Sequence, residues 1–204
     1  MTFTIWLSLL TVSMLGAMSP GPSLAMVAKH SLAGGRLHGI VTSWAHAAGV
    51  GAYALITLLG LAVLLQQSPL LFNILTYAGA GYLAYLGVNA LRSKGGVAAK
   101  LAAGEPASLL EAARDGAMIS LLNPKLALFF LALFSQYVAV GTEFSSRAII
   151  VATPLLVYGL WYTLIAVVLS NPKVLEKLRT KAQLIDRLSG VVLILLAMRV
   201  VIQA

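Results

Sequence analysis

The sequence contains no cysteine, which removes whole classes of chemistry. Disulfides, thiol nucleophiles, C-x-x-C redox pairs and thiolate metal sites are excluded, and with them a thiol or electron shuttle built on protein sulfur. Charge is nearly as scarce: 10% of the 204 residues are Asp, Glu, Lys or Arg, against roughly 25% in a soluble domain. From Leu37 to Leu91 there is no charged residue at all, a stretch long enough for two membrane spans of about 20 residues each. Acids are missing from every long apolar run, with Asp115 and Asp186 standing at run ends. Three histidines, His30, His38 and His46, lie close together in sequence without a carboxylate cluster, so a zinc site of the H-E-x-x-H kind is missing. No metal, no cofactor and no enzymatic activity are expected.

What remains is apolar. The chain is 60% hydrophobic with a mean hydropathy of +0.94, the composition of an integral membrane protein. Six apolar segments stand out at about 5–28, 38–65, 70–91, 116–138, 148–169 and 186–203, separated by short connections and one longer charged stretch, 92–115. Gln66-Gln67-Ser68-Pro69 turns the chain between the second and third. The last segment is held between Arg187 and Arg199 and spans fully only if both arginines snorkel to opposite interfaces, which leaves five or six spans open. No charge precedes the first segment, so it lacks the basic leader of a cleavable signal and reads as a retained helix.

The formal net charge of +8 raises a nucleic-acid partner, but the distribution of that charge argues against one. Lys29, Arg36, Arg92, Lys94, Lys100, Arg114, Lys173, Lys177, Arg179, Lys181 and Arg187 fall on one side of a six-span arrangement, and Arg147 and Arg199 on the other. The positive-inside rule then places 29–37, 92–115 and 170–186 in the cytoplasm and both termini outside. Topology signalling accounts for these charges better than nucleic acid or a specific anionic-lipid site at 173–181.

Lys125 belongs to neither side. It sits in "ISLLNPKLALFF", residues 119–130, where a lysine at mid-depth costs roughly 2.5 kcal/mol or more. The first segment carries a matching interruption, "GAMSPGPSLAM" at 16–26, with Ser19, Pro20, Gly21 and Pro22 in its middle. Prolines cannot continue a regular hydrogen-bond ladder, and Pro20 and Pro124 lie about half the chain apart. The expected fold is therefore a single all-α membrane domain, 1–204, of six transmembrane helices. It is expected as two inverted three-helix repeats, 1–91 and 116–204, with helices 1 and 4 broken at their Pro/Gly motifs.

A broken helix frees amides and carbonyls that must face protein, water or a ligand. Half-helix N-termini favour anions and C-terminal ends favour cations. Such a pair suits a zwitterion, its carboxylate near Gly21, Ser19 and Lys125 and its ammonium on carbonyls opened by Pro20, Pro22 and Pro124. Ser19, Pro20, Gly21, Pro22, Asn123, Pro124 and Lys125 are the expected substrate-binding set. The alternative is structural, with the prolines as kinks and Lys125 as a cap on carbonyls at a broken helix end. His46, inside the second segment, is a candidate proton relay as the mid-segment residue titrating near neutral pH, against the commoner role of a structural hydrogen-bond donor. Gly35, Gly39, Ala45 and Gly49 are expected to permit close helix packing, and Tyr77, Tyr82 and Tyr85 to serve as packing or interface aromatics.

The motifs "SPGPSLAMV", "AGGRLHGIVTSWAHAAGVG", "YAGAGYLAYLGVNALR" and "LLNPKLALFFLALFSQYV", in this order, resemble the LysE/RhtB family of bacterial amino-acid exporters. The resemblance covers most of the first 140 residues and implies a multi-pass protein of the bacterial inner membrane. It further implies export of amino acids or close derivatives from the cytoplasm, driven by the proton gradient. Two positions depart from the family pattern: Ser23 stands where Asn often follows the P-G-P triplet, and Ser135 where Pro often precedes the Gln-aromatic pair. The expected partners are an amino acid, protons and the lipid bilayer, with a homo-oligomer left open. A metal-ion exporter on the same scaffold is the runner-up, disfavoured by a site with a lysine and no acid or thiol, followed by a non-transporting membrane scaffold.

Overall fold

A computed structural model of the chain describes residues 1–95, 107–169 and 172–203. Helix α1 (Phe3–Met18) starts at Thr2, whose side chain accepts from the Ile5 amide, and stops at Ser19. There Pro20 and Pro22 cannot extend the ladder. Helix α2 (Pro22–Gly34) restarts with Pro22 in its first turn, where the missing N–H would be unpaired in any case. The two are bent by 61° and form one broken unit. After Gly35 alone come α3 (Arg36–Gln67) and then α4 (Pro69–Leu91).

The second half repeats that order. Helix α5 (Leu109–Leu121) opens on a reciprocal capping box between Ser108 and Glu111. Helix α6 (Pro124–Phe134) starts at Asn123 and runs into a 3-10 turn, Ser135–Tyr137. The pair is bent by 51°. Two more long helices follow, α7 (Phe144–Leu169) and α9 (Ala182–Gln203), separated by the short α8 (Pro172–Thr180). Among the described residues, α3, α4 and α7 are each long and apolar enough by length and composition to cross a membrane, and counting each bent pair as one span brings the number to five. Helix α9 has 22 residues, enough length to cross, but contains Asp186, Arg187 and Arg199.

Helix α3 is the hub, packing against α7, α5 and α2, while α4 lies along α9 and α1 along α7. Between α4 and α9 the backbones nearly touch: a Cβ on Gly190 would stand 2.7 Å from the Gly87 carbonyl oxygen. Small residues at such a crossing let two helices meet closely where lipid supplies no hydrophobic drive for association. Gly39 and Gly49 serve this purpose as expected, against Ser31 and Ser120. Gly35 does not, since nothing lies within 4 Å of its would-be Cβ. Its φ of 83° makes it the left-handed corner between α2 and α3.

The outer surface is apolar. Leu55, Ile56, Leu59 and Val63 form an exposed row on α3, and Leu70, Phe144 and Ile202 are largely uncovered. Continuous apolar surface of this kind suits hydrocarbon and not water. Among the described residues, much of the connections expected at 29–37, 92–115 and 170–186 is helical. Residues 29–34 complete α2, 109–115 begin α5, and 172–180 and 182–186 belong to α8 and α9. Lys100 lies outside the described residues.

Candidate functional site

The two breaks meet. Lys125, at the start of α6, crosses to the end of α1, where its ammonium donates to Ser19 O at 2.9 Å, Ser19 Oγ at 2.7 Å and Pro20 O at 3.1 Å. All three N–H groups of the ammonium are thereby used. The position is electrostatically apt, because unpaired carbonyls at a helix C-terminus carry partial negative charge. Asn123 organises the other side. Its Oδ1 accepts from the Lys125 amide at 3.0 Å, capping α6, and its Nδ2 donates to Ser23 Oγ on α2 at 3.3 Å.

Of the residues expected at the site, Ser19, Pro20, Gly21, Asn123 and Lys125 come together. A Cβ on Gly21 would stand 3.4 Å from Lys125 Nζ, so the glycine leaves the ammonium room. Pro22 and Pro124 are exposed and act through the backbone by starting α2 and α6. Six lining residues lay outside the expected set: Gly16, Ser23, Leu126, Phe129 and the α7 pair Tyr158 and Tyr162. A Cβ on Gly16 would approach Tyr158 OH to 2.7 Å and a Phe129 ring carbon to 2.8 Å. Ser23, singled out in the sequence as a departure from a family pattern, bonds Asn123 and lies within hydrogen-bonding reach of Tyr162.

The pocket enclosed by these groups is nearly closed. It gives about 10 Å³ to the centre of a water-sized sphere, about enough for one water. No amino acid fits without movement.

His46 stands one layer behind. It is fully buried, its ring 5.4 Å from that of Tyr162 and 6.0 Å from that of Tyr158. Neither ring nitrogen makes a hydrogen bond of good geometry. Asp186 is also buried and accepts from Ser93 Oγ.

Two polar clusters tie the ends of the broken pairs. Asp115 Oδ2 on α5 receives Lys29 Nζ at 3.2 Å and His30 Nε2 at 3.0 Å, both from α2. At the other end Ser8 Oγ on α1 and Tyr137 OH are 3.0 Å apart, and Arg199 of α9 donates to Ser8 Oγ. Arg199 thus faces another helix and not only an interface.

The sequence pattern of the family described as LysE type translocator matches residues 14–204, which takes in both breaks and all the helices after them. The chain belongs to the LysE family. As a LysE-family protein it is a multi-pass membrane transporter and not an enzyme. It is 27% identical over 192 residues to a threonine efflux protein of Escherichia coli, covering 91% of this chain and 92% of that one. It is 30% identical over 176 residues to a leucine efflux protein of Enterobacter sp., covering 85% and 82%. An uncharacterized membrane protein of Bacillus subtilis is 27% identical over 184 residues, covering 86% and 88%. No solved structure matches significantly.

Proposed function

We propose that this LysE-family transporter exports amino acids or close derivatives across the bacterial inner membrane, coupled to the proton gradient, with the substrate bound where the two broken helices meet. The observation that carries the reading is the self-pairing of Lys125 with Ser19 and Pro20. A cation and backbone carbonyls, already matched to each other, form the complement of a zwitterion. A substrate carboxylate replaces a carbonyl on the ammonium, trading a neutral acceptor for a charged one, and the released carbonyl receives the substrate ammonium. Ser19 and Asn123 orient the substrate, and Tyr158, Tyr162 and Phe129 bound its side chain. The export direction and substrate class rest on the relatives named for threonine and leucine efflux.

The transport cycle in this reading uses six spans as two inverted three-helix repeats, with termini outside and the basic connections in the cytoplasm. Support comes from packing that maps in part onto itself when the halves are exchanged, the α2–α3 and α4–α6 contacts having no such mates. Helix α3 packs on its counterpart α7 and α4 on α9, while the α3–α5 and α3–α6 contacts have mates in α7–α1 and α7–α2. The closed pocket corresponds to an occluded carrier that opens alternately to each side. His46 is the proposed proton relay, supported by its burial behind two pocket-lining tyrosines, where neither ring nitrogen makes a hydrogen bond of good geometry.

A purely structural role for Lys125, as a cap on α1, is favoured by the same three hydrogen bonds and is the second reading. Everted membrane vesicles decide on the function, since they convert export into uptake. Gradient-dependent accumulation of one or a few of a panel of radiolabelled amino acids is expected. No accumulation of any, with the protein shown to be inserted, rejects the exporter. Uptake that needs the gradient yet is unchanged in His46→Asn rejects the relay.

A further inference from the structure

Among the described residues, every hydrogen bond between the two broken units falls at one of three levels. The middle level is the central site, where Lys125 meets Ser19 and Pro20 and Asn123 meets Ser23. Ser8 stands about three helical turns before Ser19, roughly 16 Å along α1 at 1.5 Å per residue, and meets Tyr137 OH at 3.0 Å. Lys29 and His30 stand about as far beyond Ser19, on α2, and both meet Asp115. The two end clusters correspond when the halves are exchanged. Each joins the first helix of one unit to the far part of the other: α1 to the 3-10 turn after α6, and α5 to the second half of α2.

Neither end cluster is sealed from water. The Lys29 and Asp115 side chains keep 43% and 36% of their surface uncovered. Ser8 and Tyr137 line a cavity of about 360 Å³, roomy enough for water. The central pocket between the two clusters holds about one water molecule. Hydrogen bonds placed beside water are suited to repeated opening, because each partner exchanges the other for water at little net cost. An apolar seam has no such substitute. Bonds made only while one end is shut therefore set which end is open, and removing them favours the conformation with that end open.

We propose that the two clusters are the gates of this carrier: Asp115 with Lys29 and His30 closes it toward the cytoplasm, Ser8 with Tyr137 closes it toward the outside, and each opens while the other stays shut. The proposal rests on the carrier and topology given under the proposed function. Arg199, which donates to Ser8, ties α9 to the outer gate.

The natural chain has no cysteine, so one introduced thiol reports alone. Leu126 lines the central pocket, and Leu126→Cys is the reporter. It is labelled with sulfonatoethyl methanethiosulfonate, an anion that does not cross the bilayer. Everted vesicles present the cytoplasmic face to the reagent and right-side-out vesicles the outer face. The quantity read is the ratio of the labelling rates from the two faces. Adding Asp115→Ala is expected to shift the ratio toward the cytoplasmic face roughly tenfold or more, the factor given by losing a hydrogen bond to a charged group. Adding Ser8→Ala shifts it toward the outer face. Lys29→Ala, which keeps the His30 bond, moves the ratio the same way as Asp115→Ala by less, and Tyr137→Phe the same way as Ser8→Ala. These milder changes carry the test if a stronger one fails to insert. A ratio that stays where it was, or that moves in one direction for both clusters, makes them structural staples and overturns the proposal. Opposite shifts with the two faces exchanged keep the gates and overturn the topology. Uptake of the amino-acid panel by everted vesicles carrying the natural chain reports on the exporter separately: opposite shifts without any uptake keep the gates and reject the exporter.

Discussion

Replacing Lys125 by glutamine separates anchor from cap, because the two roles predict different balances of stability and transport. Removing the ammonium leaves the Ser19 and Pro20 carbonyls short of a donor, at about 1–3 kcal/mol for each one left unpaired. It also removes a buried cation whose insertion costs about 2.5–3.5 kcal/mol. The two effects oppose each other, and the amide of the new glutamine still offers N–H groups to the nearer acceptor. Folding stability in mild detergent is therefore expected to change by no more than about 2 kcal/mol in either direction. Binding behaves otherwise. A charge-assisted hydrogen bond contributes about 1.5–3 kcal/mol, so its loss raises the half-saturating amino-acid concentration roughly 10- to 150-fold. Arginine keeps the charge but exceeds a pocket of about 10 Å³, so Lys125→Arg is expected not to restore uptake. The assay is uptake into everted vesicles at matched protein levels, beside an unfolding titration of the same variants. A glutamine variant that transports normally refutes the anchor; one that loses stability and transport in the same proportion shows a cap.

Three further substitutions test the geometry. Gly16→Ala forces a methyl group against Phe129 and Tyr158 and is expected to cost about 1–3 kcal/mol, seen as an earlier thermal transition with transport falling further than folding; wild-type behaviour would mean that α1 moves away freely. Asn123→Ala removes the α6 cap and is expected to cost about 0.5–2 kcal/mol while Asn123→Ser retains most of it, as chemical unfolding of the pair will show. Asp115→Ala leaves buried His30 without its acceptor and is expected to cost about 1–3 kcal/mol. Asp115→Asn should recover most of that, because an amide oxygen still accepts, although the exposed Lys29 contact is lost in both. Equal stability of the two variants would show that the His30 bond is unimportant.

The parts of this site that could be read from sequence are those that break a rule. Pro20, Pro22 and Pro124 announce interrupted helices, and Lys125 announces a buried charge in need of acceptors. Proline alone is insufficient, since Pro154 lies inside α7, which runs unbroken from Phe144 to Leu169. It is P-G-P and N-P-K, with a glycine or a capping asparagine beside the proline, that end one helix and start another. Gly16, Phe129, Tyr158 and Tyr162 gave no such signal, because an apolar or aromatic residue among its like looks the same whether it faces lipid, a neighbouring helix or a pocket. Polar residues misled in the opposite direction. Lys29, His30 and the charged start of α5 resembled connections, yet they are helical because Asp115 satisfies the α2 pair across the interface. Arg199 resembled an interface anchor for the same reason: sequence shows a charge but not the hydroxyl turned toward it.

The bonds of Lys125 to Ser19 and Pro20 also have a mechanical meaning. Among the described residues α1 and α6 do not form one of the packed helix pairs, and their breaks are joined by a short cluster of contacts: the Lys125 ammonium on Ser19 and Pro20, Asn123 on Ser23, and Phe129 beside Gly16. A long interdigitated seam resists rotation along its whole length, whereas a compact cluster of contacts transmits force with less torque. Ser8 and His30 sit about three helical turns to either side of that joint, roughly 16 Å away. A swivel of about 10° about the ammonium would move each of them by roughly 3 Å on that radius, while the ammonium itself stays nearly still. The pivot and the pocket coincide, so the mouths of the protein can swing while its centre keeps hold.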